Sequence, residues 1–148
     1  MVVKRGKRRM YDSYTIMPAR KIHLSTFLAG DVTVPDGVRT ELARIVIPEE
    51  CYFERLQVHA EPGDATSIAI QACYEDDGGY TFVSDEDAVG PDGEDQVDIP
   101  GAVITTSLPS NLPLLVTAYQ TSGDPKTLSS VAVTLTLRPL EDYRAYEF

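Results

Sequence analysis

Two cysteines, two histidines and a block of carboxylates are the side chains of this 148-residue chain from which chemistry could be built. Cys51 and Cys73 lack the CxxC spacing of a zinc or redox site, and two thiols are too few for a disulfide framework, so both are expected as semi-buried free cysteines. His23 and His59 have no second Cys or His at ligand spacing and are expected on strand surfaces rather than on a metal. Neither histidine sits near a GxSxG-like turn, which leaves a Ser, Cys or Thr nucleophile without a base. Gly78-Gly79 opens a strand rather than a helix, and there is no GxxxxGK[ST] phosphate loop. The expectation is a protein that is not an enzyme and carries no cofactor.

The carboxylates are denser. From Glu75 to Asp98 there are ten acids and no Lys or Arg. Hard oxygen ligands at this density make Asp85, Asp87, Asp92 and Asp95 a calcium candidate, although their spacing fails the EF-hand pattern and an acidic loop is usually only solvated. A glycosidase pair drawn from the same acids is disfavoured, because crowding on one loop gives no reason for two carboxyls fixed ~5 or ~9 Å apart.

Charge is distributed unevenly. Residues 1–21 carry Lys4, Arg5, Lys7, Arg8, Arg9, Arg20 and Lys21 against Asp12 alone, a balance of +6. The other 127 residues hold six basic and 22 acidic side chains, a balance of −16. The Lys4 to Arg9 run could neutralise phosphates, with Tyr11 and Tyr14 free to stack on bases or pack on protein, and Ile16 and Met17 adding apolar burial. An acidic protein surface, including the body of a sister subunit, fits the same charges, and a solubilising tail is the third reading.

These groups must be positioned by the rest of the chain, which reads as strands. Hydrophobic residues make up 43% and charged residues 24%, ordinary values for a chain that folds around a core, and the length suits one domain. No apolar run approaches the ~20 residues of a membrane span, and the basic start leads into Tyr11-Asp12-Ser13-Tyr14 rather than a signal peptide, so a soluble protein without membrane contact is expected. From Ile22 on, short runs alternate with period two between turn formers such as Pro35-Asp36-Gly37, Asp77-Gly78-Gly79 and Ser122-Gly123-Asp124-Pro125. The pattern predicts strands at Ile22–Leu28, Leu42–Ile47, Phe53–Ala60, Ser67–Tyr74, Tyr80–Ser84, Ala102–Ser107, Leu114–Tyr119 and Ser130–Arg138, with short pieces near Val32 and Val97. Val131, Val133, Leu135 and Leu137 alternate with Ala132, Thr134, Thr136 and Arg138, which buries one face. One apolar face per strand predicts an all-β fold: two antiparallel sheets forming a β-sandwich, with jelly-roll topology because long connections alternate with tight ones. Its divisions are a basic arm over 1–21, the sandwich over 22–140 and a tail over 141–148, whose Tyr143, Tyr146 and Phe148 are candidates to dock on a neighbour.

The run Ala43-Arg44-Ile45-Val46-Ile47-Pro48, then Glu54-Arg55-Leu56-Gln57-Val58-His59-Ala60, then Ser67-Ile68-Ala69-Ile70-Gln71-Ala72, resembles β-sandwich domains of tailed-phage virion proteins, among them head-decoration, neck and fibre components. Leu112 to Tyr119 and Ser130 to Leu137 look like that family's two closing strands. The resemblance spans residues 40 to 138 and lies in strand spacing and turn chemistry, while the acidic stretch from Asp85 to Asp98 departs from the short hairpin often found there. It implies a non-enzymatic virion structural protein of bacteriophage type, assembled in the host cytoplasm. Such a protein would act as capsid decoration, cement or a head-to-tail component, binding other capsid subunits and its own copies, a closed trimer for example. A carbohydrate- or receptor-binding module is the alternative, with Tyr52, Tyr80 and Tyr119 as sugar-stacking rings, although the chain has no Trp.

Overall fold

In the computed structural model the described residues are 21–63, 67–90, 96–100 and 107–140. They form ten strands: β1 (Ile22–Phe27), β2 (Val32–Val34), β3 (Thr40–Val46), β4 (Cys51–Pro62), β5 (Ile68–Asp76), β6 (Gly79–Phe82), β7 (Asp87–Val89), β8 (Gln96–Pro100), β9 (Pro113–Tyr119) and β10 (Lys126–Pro139). Among the described residues no helix is long and apolar enough to cross a membrane.

Alternation selects strands because side chains on an extended backbone point to opposite faces, and here each strand has one apolar face to bury. One sheet runs β1-β10-β4-β8, with β2 also on β10, and the other runs β3-β9-β5-β6, with β7 also on β5. Successive strands cross from sheet to sheet except from β1 to β2, which share β10, and at the β5–β6–β7 turns, and all pairings are antiparallel. That order is the pair of Greek keys of a jelly roll, so the expected architecture is the observed one.

The inner faces meet as cross-strand rows. Leu24 pairs with Leu135, Leu135 with Leu56 and Leu56 with Ile99, and the neighbouring row joins Val133, Val58 and Val97. From the other sheet, Ile68, Ile70 and Ala72 of β5 and Leu114, Val116 and Ala118 of β9 close the core without measurable exposure. Side chains this size contribute roughly 1.5–3 kcal/mol each on burial, which makes these rows the main stabilising element.

Two irregularities shape β10. Ser130 adopts φ 52°, and the register with β4 shifts between Ser129 and Ala132, so Leu128 and Val131 both face the core although three residues apart. The bulge bends the strand: β2 pairs before it and β1 after it. A second shift leaves Glu54 of β4 as the extra residue between Phe53 and Arg55. At the β5–β6 turn, Asp77 (φ 48°) and Gly78 (φ 79°) are both left-handed, the geometry of a type I′ hairpin favoured by the Asp-Gly pair.

Several boundaries differ from the sequence expectation. β4 begins at Cys51 and ends at Pro62, β10 begins at Lys126, and β7 arises inside the acidic stretch. The strand expected at Ala102–Ser107 lies outside the described residues apart from Ser107, which is not in a strand. Beside β4 runs β8 (Gln96–Pro100), where a short piece near Val97 was expected. Both cysteines are free and fully buried rather than semi-buried.

Leu135 sits at the centre of the leucine row. Leu135→Ala is expected to lower unfolding free energy by about 2–5 kcal/mol in urea titrations, whereas Thr134→Ala on the outer face costs under about 1.5 kcal/mol.

Candidate functional site

The route by which the basic arm leaves the body is fixed by the β1–β10 register. Ile22 pairs with Leu137, so Lys21 and Leu140, the first and last described residues, lie at the same end of the sandwich. The bulge turns the Glu54 carboxylate to this point. Lys21 donates from Nζ to one of its oxygens at 2.7 Å and Arg138 from Nη2 to the other at 3.0 Å. Burial pushes the Glu54 carboxyl up, but the hydrogen bonds and charges of Lys21 and Arg138 outweigh it, and its pKa falls below the ordinary value. One carboxylate therefore ties the root of the arm to the last strand. Beside it, Leu140 N–H donates to the Glu50 carbonyl at 3.1 Å, and the Glu50 carboxylate accepts from Ser107 at 2.8 Å.

Of the expected arm residues, Lys21 is thus a member of the body's ion-pair network. Lys4, Arg5, Lys7, Arg8, Arg9, Tyr11, Tyr14 and Arg20 lie outside the described residues, as do Tyr143, Tyr146 and Phe148 of the tail. Of the calcium candidates, Asp92 and Asp95 also lie outside them. The Asp87 carboxylate accepts the backbone N–H of Ala88 at 2.8 Å, and the Asp85 carbonyl accepts the Ser84 hydroxyl at 2.9 Å. Among the described residues no group of three or more His, Cys, Asp or Glu could hold a metal. The histidines lie on the outer face of the first sheet, His23 Nδ1 3.1 Å from Thr136 Oγ1 and His59 Nε2 3.6 Å from Glu61.

The outer face of the second sheet holds a cluster that the sequence did not single out. Arg39, just before β3, lays its guanidinium 4.8 Å from the ring centroid of Phe82, 5.3 Å from Tyr119 and 6.0 Å from Tyr80. It donates to Thr117 Oγ1 at 3.0 Å, and that hydroxyl donates to the Gln71 carbonyl at 3.0 Å. Lys21, Arg44, Arg55 and Arg138 each meet a carboxylate, whereas Arg39 has none among the described residues. Among the described residues its charge meets the Thr117 hydroxyl and ring faces, each ring contributing roughly 0.5–1 kcal/mol at such exposure. Around it Tyr80 is 44% and Phe82 36% exposed, and Val46 on the same face is 54% exposed. Tyr80 and Tyr119, two of the three expected stacking rings, meet here; Tyr52 lies on the other sheet, opposite Arg138. The missed element was Arg39, which local sequence could not connect to strands distant along the chain.

Beneath the cluster Cys73 is buried opposite Phe82. Burial raises its thiol pKa, against the lowering effects of the Thr117 hydrogen bond and the Arg39 charge. Burial, with the Glu49 and Glu50 charges, pushes the Cys51 thiol up to about 11.

The topology defines a jelly-roll domain in which Lys21, before β1, and Arg138, near the end of β10, share the Glu54 carboxylate. No family model and no curated protein matches the chain. Among solved structures it is similar to the infectious bursal disease virus VP2 subviral particle, with a TM-score of 0.43 and 14% identity, over 80% of this chain and 33% of that one. The chain spans about a third of that protein's length, and a likeness of this size carries no argument about function.

Two measurements check this geometry. The stability difference between the native chain and Glu54→Gln, at most about 1 kcal/mol for so exposed a network, is expected to be constant above pH ~5. It should close as acid protonates Glu54 through its lowered pKa, because a depressed carboxyl contributes stability only while ionised. Alkylation by iodoacetamide at pH 8, read by mass, should leave both thiols unmodified in the native protein and label both in denaturant.

Proposed function

We propose that this chain is a virion structural protein of the tailed-phage type, a capsid decoration, cement or head-to-tail component that works by holding neighbouring subunits rather than by catalysis. The observation that carries the reading is the separation of charge on an anchored frame. A +6 segment joins a −16 remainder at a point where Glu54 ties Lys21 to Arg138. An arm rooted in this way transmits load to β10, the long strand at the centre of its sheet, instead of to a frayed end. Its partner is the acidic surface of a sister subunit or of another capsid protein, approached under electrostatic attraction.

Each exposed ion pair contributes only about 0–1 kcal/mol, so attachment rests on several contacts per arm, on apolar burial by Tyr11, Tyr14, Ile16 and Met17, and on many copies acting together. A closed homo-oligomer such as a trimer meets that requirement. Nucleic acid is the competing partner for the same charges. The carbohydrate-binding reading is weakened by Arg39, whose guanidinium covers the ring faces of Tyr80 and Tyr119 that a sugar would need.

The test is the mass in solution, by light scattering, of the full chain and of a chain lacking residues 1–20, a deletion that leaves Lys21 on Glu54. The expected result is a self-associated full chain and a monomeric truncated one. If both are monomers, the arm does not clamp subunits and the reading fails.

A further inference from the structure

Two Asp-Gly pairs lie among the described residues, Asp36-Gly37 and Asp77-Gly78, and the fold holds them in opposite ways. An Asp-Gly pair can modify itself. The glycine amide nitrogen, with no side chain beside it, attacks the aspartate Cγ, and a five-membered imide forms as one water leaves. Water then adds back to the ring. Where it breaks the bond between the main-chain carbonyl and nitrogen, the chain continues through Cβ and Cγ as isoaspartate, with a free α-carboxylate. Mass and net charge are unchanged and nothing is oxidised or reduced. Closing the ring demands rotation about the aspartate Cα–C bond, so it proceeds only where the turn can open.

At Asp36-Gly37 that rotation is blocked. The Gly37 N–H donates to the Gln120 carbonyl at 2.8 Å, and the Asp36 carboxylate accepts the Gly123 N–H at 2.9 Å. Nucleophile and electrophile are thus each tied to the 120–124 loop. That loop is itself fixed by the buried Gln120 side chain, which donates to the Val34 carbonyl at 2.9 Å and accepts from the Ser122 N–H at 2.7 Å.

At Asp77-Gly78 these restraints are missing. Both residues are exposed at the tip of the β5–β6 hairpin, and among the described residues neither the Asp77 carboxylate nor the Gly78 N–H has a hydrogen-bond partner. β6 is a four-residue strand at the end of its sheet, so the tip opens with the loss of a few edge bonds. Opening also releases Asp77 from φ 48°, a left-handed conformation that residues with a Cβ adopt less readily than glycine. We propose that Asp77 is a self-modification site, converting to isoaspartate in the folded protein, and that the conversion uncaps the Arg39 cluster.

The link runs through strand register. The two-residue turn sets Tyr80 opposite Glu75 and Phe82 opposite Cys73. Isoaspartate adds a backbone atom to that turn, which displaces β6 and draws Tyr80 and Phe82 away from the Arg39 guanidinium. Cys73, buried opposite Phe82, then meets solvent. Cys51 lies in the other sheet, opposite Pro139, and stays closed.

The experiment ages the full-length protein for several weeks in warm neutral buffer and maps isoaspartate by enzymatic methylation and peptide mass analysis. The expected result is at least tenfold more isoaspartate at Asp77 than at Asp36 in the native protein, and comparable amounts at the two sites in guanidinium chloride. Iodoacetamide should then label Cys73, and not Cys51, in the molecules that carry isoaspartate at 77. A chain with Asp77→Glu, whose ring would need six members, is expected to keep Cys73 as closed as in its own unaged sample, with thermal unfolding confirming that it is folded. No isoaspartate at Asp77, or equal amounts at Asp36 and Asp77 in the native protein, overturns the proposal. Converted molecules in which Cys73 stays closed, or an aged Asp77→Glu chain in which it opens, overturn the link to the cluster.

Discussion

The pairing of β10 with β4 is the constraint on which the rest of the structure depends. These are the two longest strands, and they run together from Leu128 opposite Pro62 to Pro139 opposite Cys51. Their inner residues supply the leucine and valine rows against which the second sheet packs. So long a ladder cannot stay regular while the sandwich twists, and it accommodates the strain with two bulges. One, at Ser130, divides β10 between partners β2 and β1. The other sets Glu54 against Lys21 and Arg138. The ladder that keeps the core continuous is thus also what brings Lys21 and Arg138 to one carboxylate.

Function on this account is built from electrostatics at the two outer faces. The cations of the body are few, and four of them are tied to carboxylates on the surface, contacts that stabilise weakly and are screened by salt. Arg39 stands apart because, among the described residues, rings rather than a carboxylate surround it. Residues 1–21 carry +6 and the remaining 127 carry −16, so on the proposed reading each copy offers opposite charges to its neighbours. Complementary charge of this kind speeds encounter and selects partners more than it adds affinity, which leaves the tightness of assembly to copy number.

The sequence carried the fold well, for an identifiable reason. Where a strand has one wet and one dry face, as in Val131 to Leu137 or Ile68 to Ala72, period-two alternation is written directly in the side chains. It was weaker where charge masked alternation: Gln96-Val97-Asp98-Ile99 is a strand whose Val97 and Ile99 are buried, yet it follows a run of acids and gave only a short piece near Val97. It also could not place the start of β10, because the bulge at Ser129-Ser130 breaks the period between Leu128 and Val131. The candidate sites were less legible. Charge asymmetry exposed the arm, but the meeting of Arg39 with rings from β6 and β9 depends on strand order, which no local pattern reveals.

The central claim is that opposite charge on the basic segment 1–21 and on the rest of the chain drives assembly. Its most direct test is the self-association constant of the intact chain, measured by sedimentation as ionic strength rises from low salt to well above physiological. The account predicts a steep fall as the Debye length shrinks from about 30 Å at 0.01 M to about 3 Å at 1 M. An association constant that is flat or rises with salt would contradict it and point to apolar burial alone.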